Sequence, residues 1–452
     1  MVAVLALVYQ SHRTGRSWRD IIRGSSVPKD GQWPSTSILP PREKISFLNS
    51  QPIGQPLTDD TPDPRITNVG AVDLDQDGLL DVILCDALEH RISWIRQHPP
   101  GIFATEIVCA PKESPIPAPA HVEAVDFDRD GDLDLLVASL GKLTPSNEKI
   151  GSVVILENDG AMHFSKRVVS QGLMRVADVR AGDLDGDGDY DLAVAMFGAF
   201  NGGTSWLENL GDWTFVEHVL QSLSGPINCP VIDIEGDGDL DIALLVSQEH
   251  EEIHLFINDG GGHFEPKLIW GATNEDFGSA HLRPVDLDGD GDIDLLYTNG
   301  DAWDYYPAEP RPWHGVHWLE NQGNLQFTMH RLVTFGGPYS ALPMDVDRDG
   351  DLDVVATSMF NDWELPSAQS IIWLENNGRM QFARRDVTNT PTHIQTAAAG
   401  DFNGDGLTDF VTGGVYTDPP HDRRARVQLW TNLWSGPPGP EQDEKDRSDE
   451  SD

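Results

Sequence analysis

"DLDGDGDYD", residues 183–191, puts carboxylates at positions 1, 3, 5, 7 and 9 of a nine-residue stretch, with Gly188 at position 6. Ca²⁺ takes six to eight hard oxygens at about 2.3–2.6 Å. Acids at positions 1, 3, 5 and 9, a glycine for the sharp turn and the backbone carbonyl of position 7 supply such a set. Without a cation, so many carboxylates within a few ångströms would repel one another or be forced to protonate.

The stretch recurs in register. "DLDQDGLLD" begins at 73, "DFDRDGDLD" at 126, "DIEGDGDLD" at 233, "DLDGDGDID" at 286, "DVDRDGDLD" at 345 and "DFNGDGLTD" at 401, with successive starts 53, 57, 50, 53, 59 and 56 residues apart. A second motif keeps step: "WIRQ", "ILEN", "WLEN", "LFIN", "WLEN", "WLEN" and "LWTN". Six residues beyond it stands Phe103, Phe164, Phe215, Phe264, Phe327 or Phe382. Each unit reads as an apolar strand into the acidic loop, a β-branched strand out of it and a variable loop. The aromatic strand, a Gly turn and a Phe-led strand follow. Four short strands repeated about every fifty residues predict an all-β fold, a seven-bladed β-propeller of four-stranded blades. The seventh unit lacks its Phe-led strand, whereas "EKISFLNSQ" (43–51) carries Phe47 with no strands before it. An N-terminal strand is therefore expected to complete the last blade and close the ring, removing open sheet edges.

The ligand set read from the spacing is Asp73, Asp75, Asp77 and Asp81; Asp126, Asp128, Asp130 and Asp134; Asp183, Asp185, Asp187 and Asp191. It continues with Asp233, Glu235, Asp237 and Asp241; Asp286, Asp288, Asp290 and Asp294; Asp345, Asp347, Asp349 and Asp353; and Asp401, Asn403, Asp405 and Asp409. Up to seven Ca²⁺ are expected. The loops are not EF-hands: position 12, which needs a bidentate Glu, is Leu84, Val137, Val194, Leu244, Tyr297, Ala356 or Thr412. These seven units resemble the FG-GAP or VCBS repeats of integrin-α-like seven-bladed propellers over roughly residues 40–434. The resemblance implies the fold and calcium in the hairpin loops. The "FG" and "GAP" tripeptides are mostly absent, so integrin-style partner recognition does not carry over.

The net charge of −43, from 74 acids and 31 bases, argues against nucleic acid and anionic membranes as partners. The three cysteines, Cys85, Cys109 and Cys229, cannot form a disulfide framework and read as buried thiols. "HEEIH" (250–254) matches a zinc-protease signature, but the repeat places it between two strands. Four residues of strand span about 13 Å, too far for one zinc. Residues 1–39 read as an arm, a truncated signal or anchor or an unprocessed segment. Its opening run "MVAVLALVY" is too short for a membrane span and has no basic residue ahead of it. Residues 40–434 form the propeller, and 435–452 an acidic tail expected to be disordered.

Five positions before each loop stand Asn68, His121, Asp178, Asn228, His281, Ser340 and Thr396; three before stand Gly70, Glu123, Arg180, Pro230, Arg283, Leu342 and Ala398. Strand alternation alone makes a polar channel rim of them. The sharper reading is a convergent site of His121, Glu123, Asp178, Arg180, His281 and Arg283. The variable loops bring Trp303, Tyr305, Tyr306, Trp313 and Trp363, aromatics that suit a sugar ring or that pack the loops onto the rim.

The leading expectation is a calcium-stabilised, non-enzymatic binding module outside the cytosol. It would be monomeric and take a carbohydrate or an extracellular protein on its loop face. One alternative is a carbohydrate-active lyase or dehydratase, with His121 or His281 as base and Arg180 or Arg283 stabilising an enolate-like intermediate. The other is a structural adhesion domain.

Overall fold

The computed structural model describes residues 39–42, 47–109, 114–303 and 307–436. Most of the expected arm and tail therefore lies outside the described residues. The described chain is all β, with seven four-stranded antiparallel sheets. They span residues 66–108, 119–173, 175–221, 226–271, 281–334, 338–388 and 394–432, blades one to seven of a β-propeller. Among the described residues no helix is long and apolar enough to cross a membrane.

The sequence grammar of a blade follows from what each strand touches. The strand leaving each acidic loop is buried throughout, as in Asp134–Ser139 and Asp353–Ser358, because blade faces pack on neighbours from both sides. That explains "DLLVAS" and "DVVATS": with both faces covered, the strand reads as a continuous apolar run. Each such Val or Leu contributes about 1.5–3 kcal/mol on burial. The outer strand Phe215–Gln221 mixes exposed and half-buried residues because one of its edges meets solvent. Pro230, Pro284 and Pro343 interrupt or sit in inner strands, whose channel-side edge tolerates a residue with no N–H.

The "W" of the second motif is inter-blade core: Trp94, Trp206, Trp318 and Trp373 are at most 4% exposed. In blades three, five and six the outer strand lays a cation or imidazole over it. His218 stacks on Trp206 at 4.6 Å, His330 on Trp318 at 4.8 Å, and Arg385 lies 6.0 Å from Trp373. The same bases bind the motif's Glu two positions on, His218 to Glu208 at 2.6 Å, His330 to Glu320 at 2.7 Å and Arg385 to Glu375 at 2.7 Å.

Leu48–Pro52 pairs antiparallel with Val427–Asn432, so the N-terminal strand does complete blade seven. Phe47 packs edge-on against Trp373 and Trp434. The seam is further tied by Arg426 of blade seven, which reaches Glu106 at 2.7 and 2.8 Å and Asp86 at 3.2 Å in blade one. One strand was not foreseen: Leu39–Arg42 adds in parallel to the outer strand Ala383–Thr388 of blade six. The three cysteines are buried and unpaired, as expected, and burial pushes the Cys109 thiol up to about 12.

Candidate functional site

Each acidic loop closes on itself. Position 1 receives backbone N–H groups from further along: Asp73 from Asp77 and Gly78 at 3.0 and 2.8 Å, Asp233 from Asp237 and Gly238 at 3.1 and 2.9 Å. Position 5 receives the N–H of position 7, as Asp187 does from Asp189 at 2.8 Å. Glycine at position 6 is required by geometry, with φ between +81° at Gly406 and +100° at Gly131. Position 4 is also left-handed; it is Gly in four loops but Gln76, Arg129 and Arg348 in the other three. These side chains extend towards the next blade: Gln76 donates to the Gly131 carbonyl at 2.8 Å and Arg129 lies 5.2 Å over the Tyr190 ring.

Position 9 has a second job. Asp81, Asp134, Asp191, Asp241, Asp294, Asp353 and Asp409 are at most 1% exposed. In every blade one oxygen accepts the N–H of loop position 2 and the other the N–H of the last residue of the second motif. In blade three these donors are Leu184 at 2.9 Å and Asn209 at 2.7 Å. The Asn side chain then donates to the carbonyl of position 8, as Asn209 does to Tyr190 at 3.1 Å. This is why the two motifs keep step. Burial is the main cause that raises these carboxyls, to about 6 in Asp191 and about 8 in Asp353.

The loops are not equivalent. Three carboxylates come within 4.8 Å of one another in five of them: Asp73, Asp75 and Asp81; Asp126, Asp128 and Asp130; Asp183, Asp185 and Asp191; Asp286, Asp288 and Asp290; Asp345, Asp347 and Asp353. These clusters could hold a cation. In blades two, three, five and six the motif's Glu adds its charge to position 3. After burial, Glu157, Glu208, Glu320 and Glu375 are among the causes that raise Asp128, Asp185, Asp288 and Asp347. In blade one that Glu is replaced by Arg96, which sits 2.5 Å from Asp75 and 3.3 Å from Asp77 and neutralises the loop from within. In blade seven Asn403 donates to Asp405 at 3.0 Å. Blade four has Glu235 at position 3, raised chiefly by burial and by Asp237. The group Asp233, Glu235, Asp237 and Asp241 does not form such a cluster, nor does Asp401, Asn403, Asp405 and Asp409. A buried oxygen without a donor remains on each of Asp75, Asp126 and Asp347.

The inner strands line the channel. Several polar residues five positions before a loop tie blades together: Asn68 accepts the Val122 N–H at 3.2 Å, Asn228 that of Leu282 at 3.2 Å and Thr396 that of Val69 at 3.1 Å. Asp178 does the same for Cys229 at 3.0 Å, but also takes Arg180 Nε at 3.1 Å and lies 3.2 Å from His121 Nδ1. Glu123 accepts the Ala181 N–H at 3.3 Å. His281 and Arg283 enter from blade five. Burial, then the arginines, hold His121 near 4 and His281 near 3, so both imidazoles are neutral at ordinary pH. His121, Asp178, Arg180, His281 and Arg283 are thus within electrostatic reach of one another.

The variable loops emerge at the opposite end of the blades from the acidic hairpins. Trp303 meets buried Phe360 edge-on at 5.4 Å, and Trp313 is half-buried with Nε1 donating to the Asp276 carbonyl at 2.9 Å. Trp363 is half-buried against His393 and Arg423. Tyr305 and Tyr306 lie outside the described residues. A surface cleft of about 300 Å³ beside blades one and two, with Arg65, His90 and Lys142 in its wall, has no signal in the repeat pattern. His250 lies in a turn and His254 in the strand Glu252–Asn258, bound to Glu252 at 2.8 Å.

An FG-GAP-like repeat is matched over residues 73–137, 183–244 and 233–297. The chain therefore carries FG-GAP-like repeats on a seven-bladed propeller. No curated protein matches it. Among solved structures, hydrazine synthase of Kuenenia stuttgartiensis is 12% identical with a TM-score of 0.49, covering 84% of this chain and 99% of that one. BBS1N, crystallised in complex with ARL6DN, is 11% identical with a TM-score of 0.48, covering 85% and 97%. The Dos1 propeller is 8% identical with a TM-score of 0.48, covering 83% and 80%.

Proposed function

We propose that this protein is a calcium-stabilised propeller acting as a binding module outside the cytosol, with a carbohydrate or protein ligand on the variable-loop side. The observation that carries the calcium reading is the state of the loop oxygens. Asp126 Oδ1 and Asp347 Oδ1 are buried without a hydrogen-bond donor, each in a cluster of three carboxylates. Buried charge of one sign with unsatisfied oxygens is costly unless a cation is supplied. Ca²⁺ fits an all-oxygen set of carboxylates and carbonyls. Loops of this type in extracellular modules bind at about 10⁻⁴–10⁻³ M, a range suited to calcium concentrations outside the cytosol.

Binding is favoured over catalysis by the commitments of the channel residues. Asp178 already holds Arg180 and faces His121, which commits one of the two bases and one of the two arginines assigned to a lyase or dehydratase. Melting in chelator and in calcium tests the first half of the proposal. A large loss of thermal stability on chelation, restored by Ca²⁺ but not by K⁺, is expected; an unchanged melt removes the calcium reading. Retention on a panel of neutral and acidic polysaccharides, with ultraviolet absorbance followed for unsaturated product, tests the second. Product formation would replace the binding module by the lyase.

A further inference from the structure

The central channel of this strongly acidic protein contains an arginine with no counter-ion. Arg283 makes no ion pair among the described residues, and its Nε is buried without a hydrogen-bond partner. The one charged group that perturbs it is another cation, Arg180; burial first and Arg180 second bring Arg283 down to about 10. The nearby acids, Asp178 and Glu123, act on Arg180 and not on Arg283. Asp178, 1% exposed, takes Arg180 Nε and the Cys229 N–H, and Glu123 takes the Ala181 N–H. Arg180 spends only Nε on Asp178 and keeps its side chain 28% exposed to the channel.

The two arginines come from inner strands that are not neighbours in the ring. Arg180 is on the inner strand of blade three and Arg283 on that of blade five. Blade four lies between them, and its matching residue is Pro230, which carries no polar side chain and breaks the inner strand. Of the remaining residues at this level, Gly70, Leu342 and Ala398 are uncharged, and Glu123 is a carboxyl on the Arg180 side. His281, two residues before Arg283, is a neutral imidazole that can donate one N–H. Two arginine forks and a neutral imidazole on inner strands of one channel are the donor types that take an oxyanion, which guanidinium groups bind bidentately.

We propose that Arg180 and Arg283, with His281, hold an oxyanion group of a ligand in the central channel, either a carboxylate or a sulfate. An anion there cancels the repulsion between the arginines and supplies the acceptors that Arg283 lacks. The rest of the surface, at a net charge of −43, repels anions, so this seat selects one small negative group rather than a polyanion spread over the molecule. The inference deepens the binding-module reading and rests on it.

The test uses the full chain saturated with calcium. Thermal shift and calorimetric titration are run with sodium galacturonate, with galactose and with sodium sulfate, on wild type, Arg283→Gln and Arg283→Lys. Saturable binding of galacturonate or sulfate but not galactose is expected. Response to galacturonate alone assigns a sugar carboxylate; response to sulfate alone assigns a sulfate ester or free sulfate. R283Q should weaken binding at least about tenfold, and R283K should retain part of it. R283Q should also melt no lower than wild type without anion, because it removes an uncompensated charge, which checks folding independently. Equal binding of galactose and galacturonate, equal affinities of R283Q and wild type, or no response to either anion would overturn the site. If calcium still raises the melting temperature in that case, the calcium-stabilised propeller stands and only the channel assignment falls.

Discussion

The backbone N–H of Asn376 donates to Asp353 Oδ1 at 2.7 Å, joining the end of the "WLEN" strand to the ninth position of the acidic loop in blade six. The other oxygen accepts the Val346 N–H at 3.1 Å, and Asn376 Nδ2 returns a bond to the Leu352 carbonyl at 3.1 Å. Asp353→Ala strands two buried N–H groups and is expected to cost about 3 kcal/mol, whereas Asn376→Ala loses the Nδ2 bond to the Leu352 carbonyl and a long contact to Met380 Sδ and costs about 1 kcal/mol. Urea unfolding of the two variants in calcium separates them. Equal losses would mean that the carboxylate matters only as a cation ligand.

The pH optimum of stability should depend on calcium. In the chelated protein the position-9 carboxyls bind protons more tightly when folded than when unfolded. Asp353 stands near 8, and Asp81, Asp134, Asp191, Asp241, Asp294 and Asp409 near 6, all chiefly through burial. Their contribution to stability therefore falls as pH rises from the ordinary carboxyl value through those pKa values. Histidines act the other way: burial holds His121 and His393 near 4 and His281 and His314 near 3, so stability is lost as pH falls below the ordinary imidazole value. The seven carboxyls outnumber the four histidines, so the chelated protein should lose stability as pH rises from about 4 to about 8. Calcium prefers ionised carboxylates and should move the optimum upward. Melting curves across pH, with and without calcium, check this; coincident optima would refute it.

Calcium occupancy should follow the partner of each loop. Loops in blades two, three, five and six each combine an acid cluster with the nearby Glu157, Glu208, Glu320 or Glu375. Asp187→Ala is expected to remove one calcium equivalent by native mass spectrometry, and Asp405→Ala none. Arg96→Glu removes the internal cation of blade one and should add an equivalent or tighten that loop. A stoichiometry unaffected by D187A and by R96E would contradict this ranking.

Ring closure makes a separate prediction. A chain that begins after Pro52 exposes the edge of Val427–Asn432 and leaves the ring without its outer strand in blade seven. It should melt well below the full chain and self-associate, because an unpaired strand edge is a template for other chains. Size-exclusion chromatography with light scattering reads this directly, and a monomer of unchanged melting temperature would sink the idea.

The sequence alone determined the repeat, the acidic loops and the shared seam of the last blade. Those features rest on local periodicity: alternation within strands, a glycine where φ must be positive, and a spacing that recurs seven times. The tertiary structure decided what spacing does not encode. The Asn of "WLEN" and the last Asp of the loop are 23 residues apart in blade six and meet only when the third strand folds back on the second. Arg96, one letter of "WIRQ", turns from a strand residue into the internal cation of its loop. Leu39–Arg42 finds its partner some 340 residues on, and nothing in its own pattern says so. Asp178 is engaged and Arg283 unpaired because blades two, three, four and five present their inner strands to one channel. Propensity and periodicity are properties of neighbours along the chain, whereas charge pairing and desolvation depend on who is across the channel, and only the closed ring brings those residues within reach.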